Sequence, residues 1–548
     1  MIHKNNNLSK YLLFVFALCS IQAFSQNFTK QDTLRGSITP ERAWWDLTHY
    51  HLDISVDPDE RSISGSNTIQ YKVLERGQKK LQVDLQPPLQ MTKAVQNGEE
   101  LEITHDGNAH FIHLKKRQRK GKVYSVQVFY EGKPKVAKRP PWDGGITWKK
   151  DSNGLPFIAS SCQGLGASVW WPCKDHMYDE VDSMKISVNV PKNLMNVSNG
   201  RLMKVDELDN DTKTYHWNVL NPINNYGVNI NIGDYVHFGE KYAGEKGELD
   251  MDYYVLRENL AKAKEQFKDA KRTMEAFEHW FGPYPFYEDS YKLVEAPYLG
   301  MEHQSSVTYG NGYTNGYRGY DLSGSGWGMK FDYIIIHESG HEWFANNITN
   351  IDIADMWIHE SFTTYSENLF IDYFYGKEAS AKYVIGMRKN IANDRPIIGT
   401  YNVNHEGSSD MYYKGANMLH TIRQLVGDDE KWRGILRGLN TDFYHQTVTT
   451  QQIENYISEK SGIDLSAVFD QYLRTTNIPV LRYKTNGNLF MYRWENCVPD
   501  FDMKVEVALN KEIMTLSPTT EWQTKKLASE VANRELNPNF YVTMEEEK

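Results

Sequence analysis

The stretch HESGHEWF, from His337 to Phe344, constrains this chain more than any other. Two histidines stand four apart, and a glutamate follows the first. With 17 His in 548 residues, H-E-x-x-H arises by chance about 0.03 times in a chain of this composition. Tyr333-Ile334-Ile335-Ile336 precedes the motif and Trp343-Phe344 closes it, so a helix here is buried nearly all round. Two histidines and a glutamate in such a helix are costly to desolvate, and a metal ion removes that cost. Positions i and i+4 share a helix face, so His337 and His341 can hold one ion. Glu338 lies about 100° round the helix and can reach the ion's open side.

A catalytic zinc takes three protein ligands and leaves one position free. The segment DMWIHESFTTYSE starts at Asp355, with Trp357, Ile358, Phe362, Tyr365 and Leu369 at helical spacing. Glu360 sits in the first turns of that helix and His359 beside it. Periodicity does not choose between them as third ligand. Thr364, one turn on, is a candidate for orienting a metal ligand or for plain packing.

Glu360 follows His341 after 18 residues, Trp-Phe follows the second histidine, and W-x-x-E-x-F-x-x-Y surrounds the glutamate. This pattern resembles the gluzincin metallopeptidases, and within them the aminopeptidase N and leukotriene hydrolase family. The resemblance implies Glu360 rather than His359 as ligand, with one Zn2+ per chain. Three further stretches agree. PYLGMEHQ, from Pro297, resembles the family's G-x-M-E-N motif, which implies that Glu302 binds the substrate amine and that Gly300 and Met301 lie along the peptide main chain. YYKGANMLH resembles Y-E-K-G and implies Tyr412 as the catalytic tyrosine. SSCQGLGASVWWPCKD, from Ser160, resembles the substrate-proximal segment of the family's first domain, with Gln163 at its glutamine. The chain departs from the family at Leu299, His303 and Tyr413. His303 introduces a titratable group beside Glu302. It either faces the cleft, where its protonation weakens amine binding, or points away as strand neighbours do.

Lys4 and Lys10, the apolar run Tyr11–Leu18 and the small residues at Ala23 and Ser25 read as a secretory signal cleaved after Ser25. The apolar core is too short for a stable membrane anchor. Secretion to the periplasm or the medium is the expectation. Cys162, Cys173 and Cys497 then remain, too few and too uneven for a disulfide framework. A net charge of −10 without a Lys/Arg run argues against nucleic acid, and a mean hydropathy of −0.62 suits a soluble chain.

The expected fold is multidomain α+β. Residues 26–256 read as an antiparallel β domain, on alternating segments such as HLDISVD, NTIQYKV and MKISVNVP. Residues 257–476 read as the catalytic domain. It opens with a stripe of Leu260, Ala263, Phe267, Ala270, Met274 and Phe277, stopped by Gly282-Pro283. Residues 477–548 read as a small β domain. The resemblance implies a saddle-like first domain and a thermolysin-like, mainly helical second one, without the large helical C-terminal domain of many relatives.

The expected function is that of a secreted zinc aminopeptidase acting on peptides with a free N-terminus. Glu338 serves as general base and Tyr412 as hydrogen-bond donor to the oxyanion. The alternatives are a leukotriene-hydrolase-like epoxide hydrolase, a thermolysin-like endopeptidase and a non-catalytic peptide-binding protein. An acidic amine clamp disfavours internal peptide bonds, and an intact Glu338 and Tyr412 oppose a retired enzyme. Oligomeric state is not legible.

Overall fold

The computed structural model of the protein describes residues 27–547; the signal segment lies outside the described residues. The first element is a short helix, α1 (Lys30–Gly36), whose Thr29 and Asp32 form a capping box. A ten-stranded sheet follows, built from strands between Trp45 and Val219. The alternation read in the sequence falls on real strands: Trp45–Asp57, Ser62–Val73, Val123–Gly132 and Met184–Pro191. Their inward residues, among them Tyr50, Leu52, Ile54, Val126, Ile186 and Val188, fill one core. Most neighbours run antiparallel, but Trp45–Asp57 and Met184–Pro191 pair in parallel, Leu52 beside Ile186. Alternation reports which face is buried and says nothing about strand direction. A four-stranded sheet carries Pro156–Ser161, the strand that leads into Gln163.

The hairpin Tyr235–Gly244/Gly247–Leu256 joins the sheet of the helical unit, so that sheet begins before its helices do. Gly247–Leu256 pairs in parallel with Tyr291–Glu295, which pairs with Val307–Tyr309. The edge is the two-residue strand Gly300–Met301, antiparallel to Val307–Tyr309. Helix α2 (Lys268–Phe281) buries Ala270, Met274 and Phe277 and ends at Gly282, φ 93°. There a left-handed conformation suits glycine, and Pro283 prevents continuation.

Three helices surround the motif residues: α3 (Tyr333–Gly340), α4 (Trp357–Tyr375) and α5 (Tyr413–Val426). Asp332 caps α3 by accepting from the amides of Ile334 and Ile335. The helix stops at Gly340 and a kinked π turn, Glu342–Asn346, follows. Helix α5 packs tightly on α4: a Cβ at Gly415 would lie 1.9 Å from Ser361 Oγ. The glycine of the Y-x-K-G stretch is thus a packing requirement.

The last strands, from Val480 to Glu546, form a four-stranded and a three-stranded sheet. Their Leu481, Phe490, Trp494, Val507 and Phe540 belong to the same buried cluster as Trp357, Phe362 and Leu419. The Tyr541 amide donates to Thr421 Oγ1 (3.0 Å), and Asn539 Oδ1 lies 2.9 Å from His420 Nε2, both contacts with α5. Among the described residues no helix is long and apolar enough to cross a membrane.

Candidate active site

The site lies where the two cores meet. Tyr298 and Met301 pack into the N-terminal core and Leu299 into the helical one, so the strand that leads into Glu302 is wedged between them. Helix α3 brings His337 and Glu338, its C-cap brings His341, and the first turn of α4 brings Glu360.

The imidazoles are held by hydrogen bonds at Nδ1. His337 Nδ1 donates to Glu367 Oε1 at 2.8 Å, and Glu367 Oε2 accepts from the Tyr383 hydroxyl at 2.6 Å. His341 Nδ1 donates to the Phe344 carbonyl, at 3.0 Å, and meets Thr363 Oγ1 at 3.0 Å. Both Nε2 atoms then face Glu360 Oε2, at 3.7 Å and 3.4 Å. That oxygen is buried and has no hydrogen-bond partner. One ligand atom from each of His337, His341 and Glu360 falls within 4.8 Å of the others. An orphaned carboxylate oxygen between two free imidazole nitrogens, each backed by a fixed acceptor, fits a zinc ion.

His359 is elsewhere. Its Nε2 accepts from the Asn350 amide at 2.9 Å, and burial pushes its pKa down to about 3. The alternative left open by periodicity is thereby closed. Thr364 does not orient a ligand: its hydroxyl is buried without a partner, and its neighbour Thr363 makes the contact to His341. Glu367, Tyr383, Thr363 and the Phe344 carbonyl are members of the site that the sequence reading missed. Glu367 was findable, since it lies seven residues after Glu360 and so on the same helix face.

Glu338 and Glu302 flank the ligands, and an atom of each lies within 4.8 Å of one on His341. Burial, with Glu302 adding its charge, pushes Glu338 up to about 8. Glu302 is likewise raised, by burial first and then by Glu360, against the pull of His341. Burial also opposes the charge of Glu360, yet His341 and His337 hold it below the ordinary carboxylate range. Gln163 Nε2 bridges the two domains, donating to Glu302 Oε1 (2.5 Å) and Glu360 Oε1 (3.0 Å). Gly300 lies against the base: a Cβ there would sit 2.9 Å from Glu338 Oε1 and 2.6 Å from Ile334 Cγ2. Tyr412 stacks on His337, centroids 6.1 Å apart at 25°. Burial and the nearby Glu360 and Glu302 raise its phenol well above 10, so it stays a proton donor. The half-buried Tyr413 has its phenol raised by burial first and then by the charges of Glu367 and Tyr317.

His303 turns from the cleft. It is fully buried, its Nδ1 lies 3.3 Å from Thr308 Oγ1, and burial alone pushes it down to about 3. The expectation that it points away is the one the structure supports. Cys162 and Cys173 are buried free thiols.

Two histidines, a glutamate and an adjacent glutamate at this geometry define a zinc hydrolase site, set in a β domain joined to a helical one. The chain belongs to peptidase family M1. Residues 47–226 match the Peptidase M1 N-terminal domain and 265–472 the Peptidase family M1 domain. It is similar to the leukotriene A-4 hydrolase of Xenopus laevis, 24% identical over 488 residues, covering 82% of this chain and 74% of that one. It is also similar to the probable aminopeptidase 2 of Sulfurisphaera tokodaii (24% identical, 66% of this chain, 46% of that). The leucyl aminopeptidase of Saccharolobus solfataricus is a further relative (23%, 73% of this chain, 50% of that). The chain spans about half the length of these two archaeal relatives. The fold matches the M1 zinc metallopeptidase of Deinococcus radiodurans, with a TM-score of 0.68 at 21% identity, over 80% of this chain and 95% of that one. A mutant of that enzyme bound to a Tyr-Ser-Ala substrate matches equally, TM-score 0.68 at 20% identity, over 80% and 96%.

Proposed function

We propose that the chain is a secreted zinc aminopeptidase that removes the N-terminal residue of peptides. The observation that carries this is the buried Glu302 carboxylate, held by Gln163 within a few ångströms of the metal-ligand set. A fixed carboxylate beside the reacting centre pairs with an α-ammonium, which only a chain terminus supplies. It thereby places the first peptide bond, and no other, at the metal.

His337, His341 and Glu360 would hold the zinc ion, and the bound metal would serve as the Lewis acid for the attacking water and the scissile carbonyl. Glu338, next to the first ligand, accepts the water's proton and passes it to the leaving amine. Tyr412 donates its phenolic proton in a hydrogen bond to the oxygen that gains charge. Gln163 holds Glu302 and Glu360 in register. Gly300 and Met301 offer edge-strand backbone groups to an extended peptide. Glu367 and Thr363 fix the imidazole orientations.

Secretion is part of the proposal and rests on the basic and apolar N-terminal text; the mature chain then begins at Gln26. The test compares a free-amine peptide with its N-acetylated twin. Hydrolysis of the first only, abolished in Glu338→Gln with zinc retained, is the expected result. Equal cleavage of both substrates would make the enzyme an endopeptidase. Cleavage of neither, with turnover of a lipid epoxide, would favour the hydrolase reading.

A further inference from the structure

Helix α1 lies outside both matched family segments, yet it touches two walls of the site. Arg35 is the first contact. Its Nη2 lies 3.1 Å from Asp175 Oδ1 and its Nη1 donates to the Asp175 carbonyl, with side-chain exposures of only 16% and 4%. Asp175 in turn orders the loop that carries Gln163. Its carboxylate accepts from the amides of Ala167 (3.3 Å) and Ser168 (3.1 Å) and from Ser168 Oγ (2.6 Å). The Gly166 amide closes that loop on the Cys162 carbonyl at 2.7 Å, with Gln163 between them. The guanidinium lies so close that a Cβ at Gly166 would sit 2.2 Å from Arg35 Nη2.

The second contact is with the segment before Tyr412. The Asn404 amide donates to the Asp32 carbonyl at 3.2 Å. Phe28 meets the His405 ring edge-on at 5.6 Å. A Cβ at Gly36 would lie 2.1 Å from the Val403 carbonyl carbon. Asn404 Nδ2 then reaches the Gly164 carbonyl at 3.4 Å, one residue beyond Gln163. A small cleft opens between Arg35, Gly36, Gln163, Ile353 and Asn404. The helix is pinned on its far side by Gln31, which donates to Asp106 Oδ1 at 2.8 Å.

We propose that α1 is part of the active site and that Arg35 is a positioning residue for Gln163. Gln163 must satisfy Glu302 and Glu360 at once, at 2.5 and 3.0 Å. Its backbone sits on a loop rather than on a strand or helix, so something must hold that loop. A largely buried two-point arginine–aspartate contact does so far better than an exposed pair would. The proposal rests on the reading of Glu302 and Gln163 as the amine-binding pair.

The test is a double-mutant cycle on the full-length protein, read as KM and kcat on one free-amine substrate. Gln163→Ala is expected to raise KM about tenfold, the size of one hydrogen bond to a charged group. Arg35→Ala should raise KM by a similar factor with kcat nearly unchanged, and the double variant should be no worse than Gln163→Ala alone. Arg35→Lys keeps the charge but not the planar fork, and should recover part of the loss. Additive effects in the double variant would overturn the proposal. So would Arg35→Lys or Arg35→Ala variants that melt earlier with KM unchanged. If Gln163→Ala itself leaves KM unchanged, the amine-binding role of Gln163 falls, and the role of Arg35 with it.

Discussion

Replacing Gly300 with alanine tests how tightly the edge strand is set against the general base. The added carbon would sit 2.6 Å from Ile334 Cγ2, 2.9 Å from Glu338 Oε1 and 3.1 Å from Glu338 Cγ. Carbon atoms pack best at about 3.5–4.0 Å, so roughly 1 Å must be found against Ile334. Ile334 is buried in α3 and cannot swing clear. The strand or the helix must shift, and the Glu338 carboxylate, as the movable end, is displaced with it. Overpacking of this kind costs about 1–3 kcal/mol of stability. A base misplaced by about 1 Å costs about a hundredfold in kcat. None of the three atoms nearest the new carbon belongs to His337 or His341, so zinc content should stay at that of wild type. The assay combines kcat on a free-amine substrate, metal analysis and thermal melting. A kcat within about threefold of wild type, in a variant of lowered Tm, would show that the structure yields elsewhere and refute the argument. Loss of zinc would refute it as well.

Glu367→Ala should weaken zinc binding about 10–100-fold, measured by competition with a chelator, because His337 loses the acceptor that fixes its tautomer. Thr363→Val should move affinity the same way by less, and Thr364→Val should not move it. His303→Asn should leave the acid limb of the kcat/KM profile in place, since a group pushed down to about 3 stays neutral above pH 5; a shifted limb would put the imidazole back in the cleft. Burial pushes Glu180, whose Oε1 accepts from Thr349 Oγ1 at 2.5 Å, up to about 8 from 4.5. Its folded pKa lies above its unfolded one, so its contribution is complete below about pH 4.5 and is lost as pH rises through about 8. The Tm of wild type should therefore fall relative to Glu180→Gln across that window, and a constant difference would defeat the assignment.

Much of this was legible before the structure, for physical reasons that differ from residue to residue. Segments such as MKISVNVP show their fold because one face is buried and a strand repeats every two residues. The pair His337 and His341 shows itself through helical spacing. The third ligand does not, because His359 and Glu360 are neighbours on one turn and the choice depends on how α4 rotates against α3. The same ambiguity hid Thr363 behind Thr364. The π turn after His341 was invisible: Phe344 and Ala345 leave helical geometry, the latter at φ 149°, and no glycine or proline falls within it. Yet that break presents the Phe344 carbonyl to His341. The direction of His303 was undecided because strand parity across a two-residue edge strand is too short to read.

The seam between the C-terminal strands and α5 has a consequence for durability. Asn539 and Tyr541 brace the helix whose first turn follows Tyr412, and the strands' apolar faces complete the cluster around α4. Those last residues act as a keystone. A fragment ending near residue 476 would lose the Tyr541 ring that stacks on Tyr472 and the contacts of Asn539 and Tyr541 with α5, and the apolar side chains that the strands cover would meet water. The enzyme therefore depends for its stability on residues outside its metal-ligand set.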